Sequence, residues 1–453
     1  MGLKTKYKLI AIIVLLIIAI YLLKTQPKEY LKENNEEEEM NIPIDERTLT
    51  LEDGEFWISK IQPKDQLLMN STDIEEYNKR SFQKEESLMD LREHEASADK
   101  EDILSLIQSL SKVPKEERYD SNGNLMDKDF YNHLISNMNL DSIEDRVHIQ
   151  YGIAINRTMI RTFPTFETSY NKKDDYQFDR FMETAIYPWE PLILYWESRD
   201  GLWYFGRTYN YIGWIPKEDV ALGDRDEIFH LTHSQDFLMV IDRQISIDDT
   251  LYDMGVRIPL IDEGDNSYRI LIPKKGDKDN LFFIEKELAK SNSLHQGYLP
   301  YTKENILLQA FKFKDEEYGW GGMNNTRDCS AFIMDIHRSF GIMLPRNTID
   351  QGKNNIGKLY DFSSMRTLGE GLEALETLPP ASILYMPGHT MLYLGQHEGK
   401  HYMIHQFAGY YEETEGGLEY ISVMKTAVTP VDIKASSEKT YIEMVYLAKE
   451  YIP

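Results

Sequence analysis

A single cysteine, Cys329, stands in a chain of 453 residues. No disulfide can close within the chain, and no zinc site built on several thiolates can form. The fold must therefore rest on buried apolar surface, and at this length three or four domains are expected rather than one core. Hydrophobic residues at 42% and aromatics at 12% supply the material for those cores and set the chain apart from a disordered polymer. The formal net charge of −26 argues against nucleic acid as a partner, because phosphate backbones demand a surplus of Lys and Arg. An acidic surface suits solubility, an extracellular setting, or a substrate that presents an amine.

Lys4, Lys6 and Lys8 precede an unbroken apolar run from Leu9 to Leu23, closed by Lys24. This is the pattern of an export signal. The run is short against the roughly 20 residues that span a bilayer, but the flanking lysines can snorkel and extend it. Tyr21, Leu22, Leu23 and Lys24 are all large, so no small-residue cleavage site follows. The expectation is an uncleaved membrane anchor over residues 1–24 with the bulk of the chain outside, a secreted form being the alternative.

Residues 25–47, with four glutamates at Glu36–Glu39, read as an acidic linker. Residues 48–147 read as a mostly helical segment, in which Ile103, Ile107 and Leu110 share one helical face. The texture then changes to short β-rich runs broken by turn signals such as Arg199-Asp200-Gly201. Two blocks of this kind, 148–223 and 224–290, look like small SH3-type barrels. From 291 to 453 helical and strand patterns mix, which predicts a C-terminal α+β domain. The fold class is thus multidomain: anchor, helical segment, two SH3-like β-barrels and an α+β domain.

In RDCSAFIMDIHRSFG, Phe332, Ile336 and Phe340 recur at helical spacing, Asp328 is a natural N-cap and Gly341 marks the end. Cys329 then occupies the first turn, where unpaired N–H groups and the helix dipole lower a thiol pKa. The plain alternative is a small buried hydrophobe at a helix start. The preceding YGWGG, with Trp320 as an aromatic wall, lets backbone approach a substrate closely.

A thiol nucleophile needs a base. GHTMLYLG opens with His389, and HYMIHQF carries His405; both read as strands. A five-residue loop over Gln396–Lys400 would make the two histidines diagonal neighbours on one face, whereas a two-residue loop would oppose them. His405 could then fix the tautomer of His389. The competing stretch His397-Glu398-Gly399-Lys400-His401 spells a zinc-peptidase motif, but that motif needs a helix, and Gly399 between two strands marks a turn.

YGWGGMNNTRDCSAF, PGHTMLYLG and YMIHQFAGY together resemble the NlpC-type, papain-like peptidases of bacterial cell walls. RTMIRTFPTFETSY and DGLWYFGRTYNYIGWIP are similar to the first SH3 domain of a subgroup that joins a helical segment, two SH3 domains and the peptidase. The resemblance implies a γ-D-glutamyl-diaminopimelate (or -lysine) endopeptidase, acting on stem peptides or muropeptides with a free N-terminal L-Ala. It implies Cys329 as nucleophile, His389 as base and His405 as orienting residue, with Tyr318, Asp328 and Ser330 shaping the pocket for the substrate amine. Tyr211 is the expected aromatic that closes this pocket, with Tyr209 close by. No cofactor and no metal are expected. The rivals are a non-catalytic wall-binding protein, using Trp196, Trp203 or Trp214 as exposed platforms, and an amidase or transpeptidase with the same thiol.

Overall fold

In a computed structural model the described residues are 49–353, 355–365 and 367–452. The expected anchor at 1–24 and linker at 25–47 lie outside them. Among the described residues no helix is long and apolar enough to cross a membrane.

Helices Ser71–Lys84, Lys100–Leu110 and Lys128–Asn137 build the first segment. Asn70 and Asp73 form a reciprocal cap at the start of the first of these, satisfying donors that a helix start leaves open. Ile103 and Ile107 are fully buried and Leu110 partly so. They pack on the first barrel, where Trp214 Nε1 donates to Ser111 Oγ at 3.2 Å.

That barrel is a seven-stranded antiparallel sheet in the order Met182–Ile186, Thr158–Arg161, Ile212–Pro216, Trp203–Arg207, Pro191–Glu197, Gln150–Ala154, Val220–Leu222. Trp203 and Trp214 are 1% and 0% exposed, and Trp196 packs against the same core. The expectation of exposed tryptophan platforms is thus corrected for Trp203 and Trp214: a barrel this small needs its largest side chains to fill its interior. A second β-unit follows, with five strands in the order Leu281–Ala289, Ser267–Lys275, Arg257–Glu263, Phe237–Val240, Leu294–Gln296, and a hairpin Gln244–Ile247/Thr250–Asp253.

The C-terminal part is α+β. Its antiparallel sheet runs Lys358–Asp361, Leu447–Glu450, Ile383–Met386, His389–His397, Lys400–Thr414, Gly417–Pro430. The Cys329–Arg338 helix lies on it, with Phe332, Ile336 and Phe340 buried among Leu392, Leu394 and Ile404.

Two junctions tie the barrels to this domain. Arg327, fully buried, donates to Glu316 at 2.5 and 2.7 Å, to Asp335 on the helix at 3.0 Å, and to Asp253 of the second barrel at 2.8 Å. Arg157 of the first barrel reaches the same Asp253 at 3.0 Å. The second junction is a close approach of backbone. Gly322 sits at φ +100°, and a Cβ there would lie 2.6 Å from Ala185 Cβ on the first barrel's Met182–Ile186 strand. Only glycine combines that dihedral with that space.

Candidate active site

Cys329 is the first residue of its helix. Asp328 caps it, Oδ1 accepting from Ala331 N at 3.0 Å. The thiol is buried, 3.8 Å from Thr348 Oγ1. Burial pushes it up to about 11 and the Asp328 charge adds to this, while the Thr348 hydroxyl and the Thr390 backbone amide pull the other way. The expected lowering at a helix start does not prevail, because desolvation of a thiolate outweighs the helix terminus here.

Thr390 directly follows His389, so the sulfur lies against the opening of the His389–His397 strand. His389 Nε2 lies 2.8 Å from His405 Nδ1, and His405 Nε2 lies 2.9 Å from Thr429 Oγ1. If Thr429 accepts, His405 carries its proton on Nε2 and accepts on Nδ1. His389 must then carry its proton on Nε2, which leaves its Nδ1 lone pair free as a base. Burial takes His389 down to about 4, with Asp328 opposing, and holds His405 well below the usual imidazole range. Both shifts favour the neutral rings. Phe407 stacks on His405 with ring centres 3.9 Å apart, and Tyr441 meets both imidazoles edge-on.

The hairpin that aligns these rings differs from the expected one. Its turn has two residues, Glu398 and Gly399, both at positive φ, with His397 opposite Lys400. That loop alone would oppose the histidines. A bulge between Tyr393 and Gly395 restores the parity: Gly395 faces Tyr402 but Tyr393 faces Met403. Continued to the strand start, this register sets His389 opposite Phe407 with His405 on the diagonal. The His397–His401 stretch forms this hairpin rather than a helix. His397 meets Lys60 and Phe56, while His401 is buried against Tyr393 Oη at 2.7 Å.

A polar pocket adjoins Cys329. Arg346 grips Asp328 with two hydrogen bonds, 3.1 Å to Oδ1 and 2.7 Å to Oδ2, and also donates to Ser330 Oγ at 2.7 Å and Thr184 Oγ1 at 2.6 Å. Gly321 N adds a further bond to Asp328 at 3.0 Å. Asp328 is thus both cap and ion-pair partner, its carboxyl held low by Arg346 against the cost of burial. Tyr211 donates its hydroxyl to Glu183 Oε2, and Thr162 donates to Oε1 at 2.6 Å. Arg346 and Asn347 are neighbours of the Tyr211 hydroxyl, so the pocket is shared between barrel and C-terminal domain. Tyr209 instead lies buried with its hydroxyl on the Leu344 carbonyl, 3.3 Å away. Tyr318 is buried beside Cys329 and Asp328, its hydroxyl held protonated by burial first. Trp320 packs edge-on against Phe178.

Sequence reasoning missed Glu183, Arg346 and Thr429. Thr429 was accessible in principle, since it sits two residues beyond Ala427, the residue opposite His405 on the next strand. Glu183 and Arg346 lie far from the cysteine in sequence, and no local pattern marks them.

Residues 315–412 match the NlpC/P60 family, and residues 164–216 match the SH3 domain of SH3b1 type. A γ-D-glutamyl-L-lysine dipeptidyl-peptidase of Bacillus cereus (strain ATCC 10987 / NRS 248) is 27% identical over 153 residues, which are 32% of this chain and 44% of that protein. The chain therefore aligns with less than half of that relative's length. An NlpC/P60 endopeptidase from Photobacterium damselae subsp. piscicida shares the fold, with a TM-score of 0.72 at 18% identity, covering 89% of this chain and 98% of that one.

Proposed function

We propose that this chain, an NlpC/P60 domain joined to SH3-type barrels, is a cysteine endopeptidase that cuts peptidoglycan stem peptides after D-Glu. Its substrate carries a free N-terminal L-Ala, and the third residue is diaminopimelate or lysine. The observation that carries the reading is the Thr429–His405–His389 chain at the strand end lying against Cys329; with Thr429 as acceptor it leaves Nδ1 of His389 as the base.

With thiol and imidazole both neutral, the sulfur attacks the γ-amide carbonyl while His389 Nδ1 takes the thiol proton. His405 and Thr429 stabilise the imidazolium that forms. The Cys329 backbone N–H, in the first turn of its helix where no intrahelical acceptor is available, is the donor this reading assigns to the oxyanion. His389 then returns its proton to the departing amine, leaving a thioester on Cys329. Water, deprotonated by the same imidazole, attacks the thioester carbonyl; the C–S bond breaks, the glutamyl acid is released, and His389 returns the proton to the Cys329 sulfur.

The pocket supplies selectivity. Asp328 and Arg346 cancel as a pair, which leaves Glu183, tied to Tyr211, as the net negative charge for an ammonium group. An acylated stem lacks that cation, and its entry would bury Glu183 without a counter-charge. The B. cereus relative's name, a dipeptidyl-peptidase, agrees with release of an L-Ala-γ-D-Glu unit. In its proposed setting the chain works outside the cytoplasm on the cell wall.

Incubation with defined muropeptides, with and without a free L-Ala, tests the reading by mass spectrometry. Cleavage between D-Glu and the third residue, confined to free-L-Ala peptides and abolished in Cys329→Ala, is expected. Equal cleavage by Cys329→Ala ends the assignment.

A further inference from the structure

Linked to Tyr318 through Phe178 lies a cation that no described residue pairs. Arg180 belongs to the loop that precedes the first barrel's Met182–Ile186 strand, and it is half-buried. Its guanidinium carbon lies 4.9 Å from the Trp320 ring centre and 5.4 Å from that of Phe178. Phe178 also touches Tyr318, with ring centres 6.1 Å apart, and Tyr318 stands beside Cys329 and Asp328.

Among the described residues no ion pair reaches Arg180. The adjacent Asp179 is bound to Arg161 at 2.9 Å and accepts the backbone N–H groups of Ser169 and Phe181. Asp175 makes no ion-pair contact with it, and the repulsion from another cation, Arg118, acts on Arg180 more strongly than Asp175 or Asp179 does singly. Arg180 Nε and Trp320 Nε1 are both buried without a hydrogen-bond partner. A desolvated cation beside a like charge, with two idle donors on one aromatic wall, is unfavourable until an anion arrives. The wall is linked to the thiol through Phe178 and Tyr318, whereas Glu183 is held by Tyr211 and Thr162. A carboxylate next to the scissile amide is the anion a stem peptide brings there.

We infer that Arg180, with Trp320 Nε1 as second donor, binds a substrate carboxylate that flanks the scissile bond. This presumes the stem-peptide reading above. Two carboxylates have that chemistry: the free α-carboxylate of the γ-linked glutamyl residue, and the carboxylate of the third residue on the leaving side.

Affinity in the Cys329→Ala background tests it without turnover. The probes are L-Ala-γ-D-Glu-L-Lys, its glutamyl α-carboxamide, and its C-terminal carboxamide, titrated calorimetrically. Arg180→Gln should weaken the tripeptide about 10- to 100-fold, the range of one charge-assisted contact, and Arg180→Lys should weaken it less. The effect should vanish on one of the two carboxamides, which identifies the carboxylate bound. Equal weakening of all three probes, no weakening of any, or no binding of the tripeptide overturns the inference. Turnover by the parent enzyme is read alongside. Cleavage with Arg180-independent affinity defeats this inference alone, whereas Arg180-dependent affinity without cleavage defeats the peptidase reading alone.

Discussion

His405 Nδ1 lies 2.8 Å from His389 Nε2; His405 is fully buried and His389 half-buried at the end of the strand that meets Cys329. One hydrogen bond therefore decides which nitrogen of His389 is free.

His405→Ala should lower kcat about 10²- to 10⁴-fold, the cost of losing tautomer control and imidazolium support, with KM little changed. Thr429→Val should act in the same direction and more weakly, since it removes only the outer acceptor. Steady-state kinetics on a free-L-Ala tripeptide decide this. A loss carried by KM instead would contradict the role given to His405.

Glu183→Gln should raise KM for free-L-Ala peptides by about 10- to 100-fold, the value of a charge-assisted contact. It should also narrow the preference over N-acylated peptides, because the uncompensated charge that repels them is gone. Tyr211→Phe should show a smaller shift of the same sign. Competition between acylated and free stems, quantified by mass spectrometry, gives the ratio directly.

Arg327→Ala should destabilise the protein by about 3–5 kcal/mol, the usual cost of stranding buried charges. Here Glu316, Asp335 and Asp253 all lose their shared partner. Denaturant unfolding of the folded fraction measures it. A change below 1 kcal/mol, about the scale of an exposed pair, would show that solvent reaches the junction.

The histidines also set a pH dependence. Burial depresses His389 and His337 each to about 4, and His405 in the same direction. An unfolded chain takes up these protons below its ordinary value of about 6.5, whereas the folded chain resists until near 4. The stability they contribute is present above 6.5 and drains away as the pH falls from 6.5 toward 4. Thermal midpoints across that window should fall for the parent and fall less steeply for His405→Gln. Parallel profiles would refute the attribution.

Much of the helix that carries the cysteine was legible because its signals are local: a cap at Asp328, apolar residues four apart and Gly341 at the end. The facing of the histidines was anticipated from an odd-length loop. The chain reaches it by another route, a two-residue turn plus a bulge at Tyr393–Gly395, because a bulge adds one residue to one strand and leaves little trace in composition. The tryptophans were misjudged for Trp203 and Trp214, since aromatic content alone does not separate a barrel's filling from its surface. Asp328 is the expected cap and amine-pocket carboxylate, but its counter-charge, Arg346, stands eighteen residues on and no local pattern marks it. The thiol pKa was misjudged because burial is a property of the assembled fold, while a helix start is visible in the sequence.

Gly322 against Ala185 brings one strand of the first barrel up to the loop that leads into Cys329, with Glu183 two residues before the contact. On the proposed function, part of the choice of peptide thereby resides in a stretch of the gene separate from the chemistry. Mutations between 182 and 211 can retune which stems are admitted without touching the residues at 389, 405 and 429. Conversely, on the same proposal a fragment starting near 291 keeps Cys329, His389 and His405 while losing Glu183 and Tyr211 from the pocket.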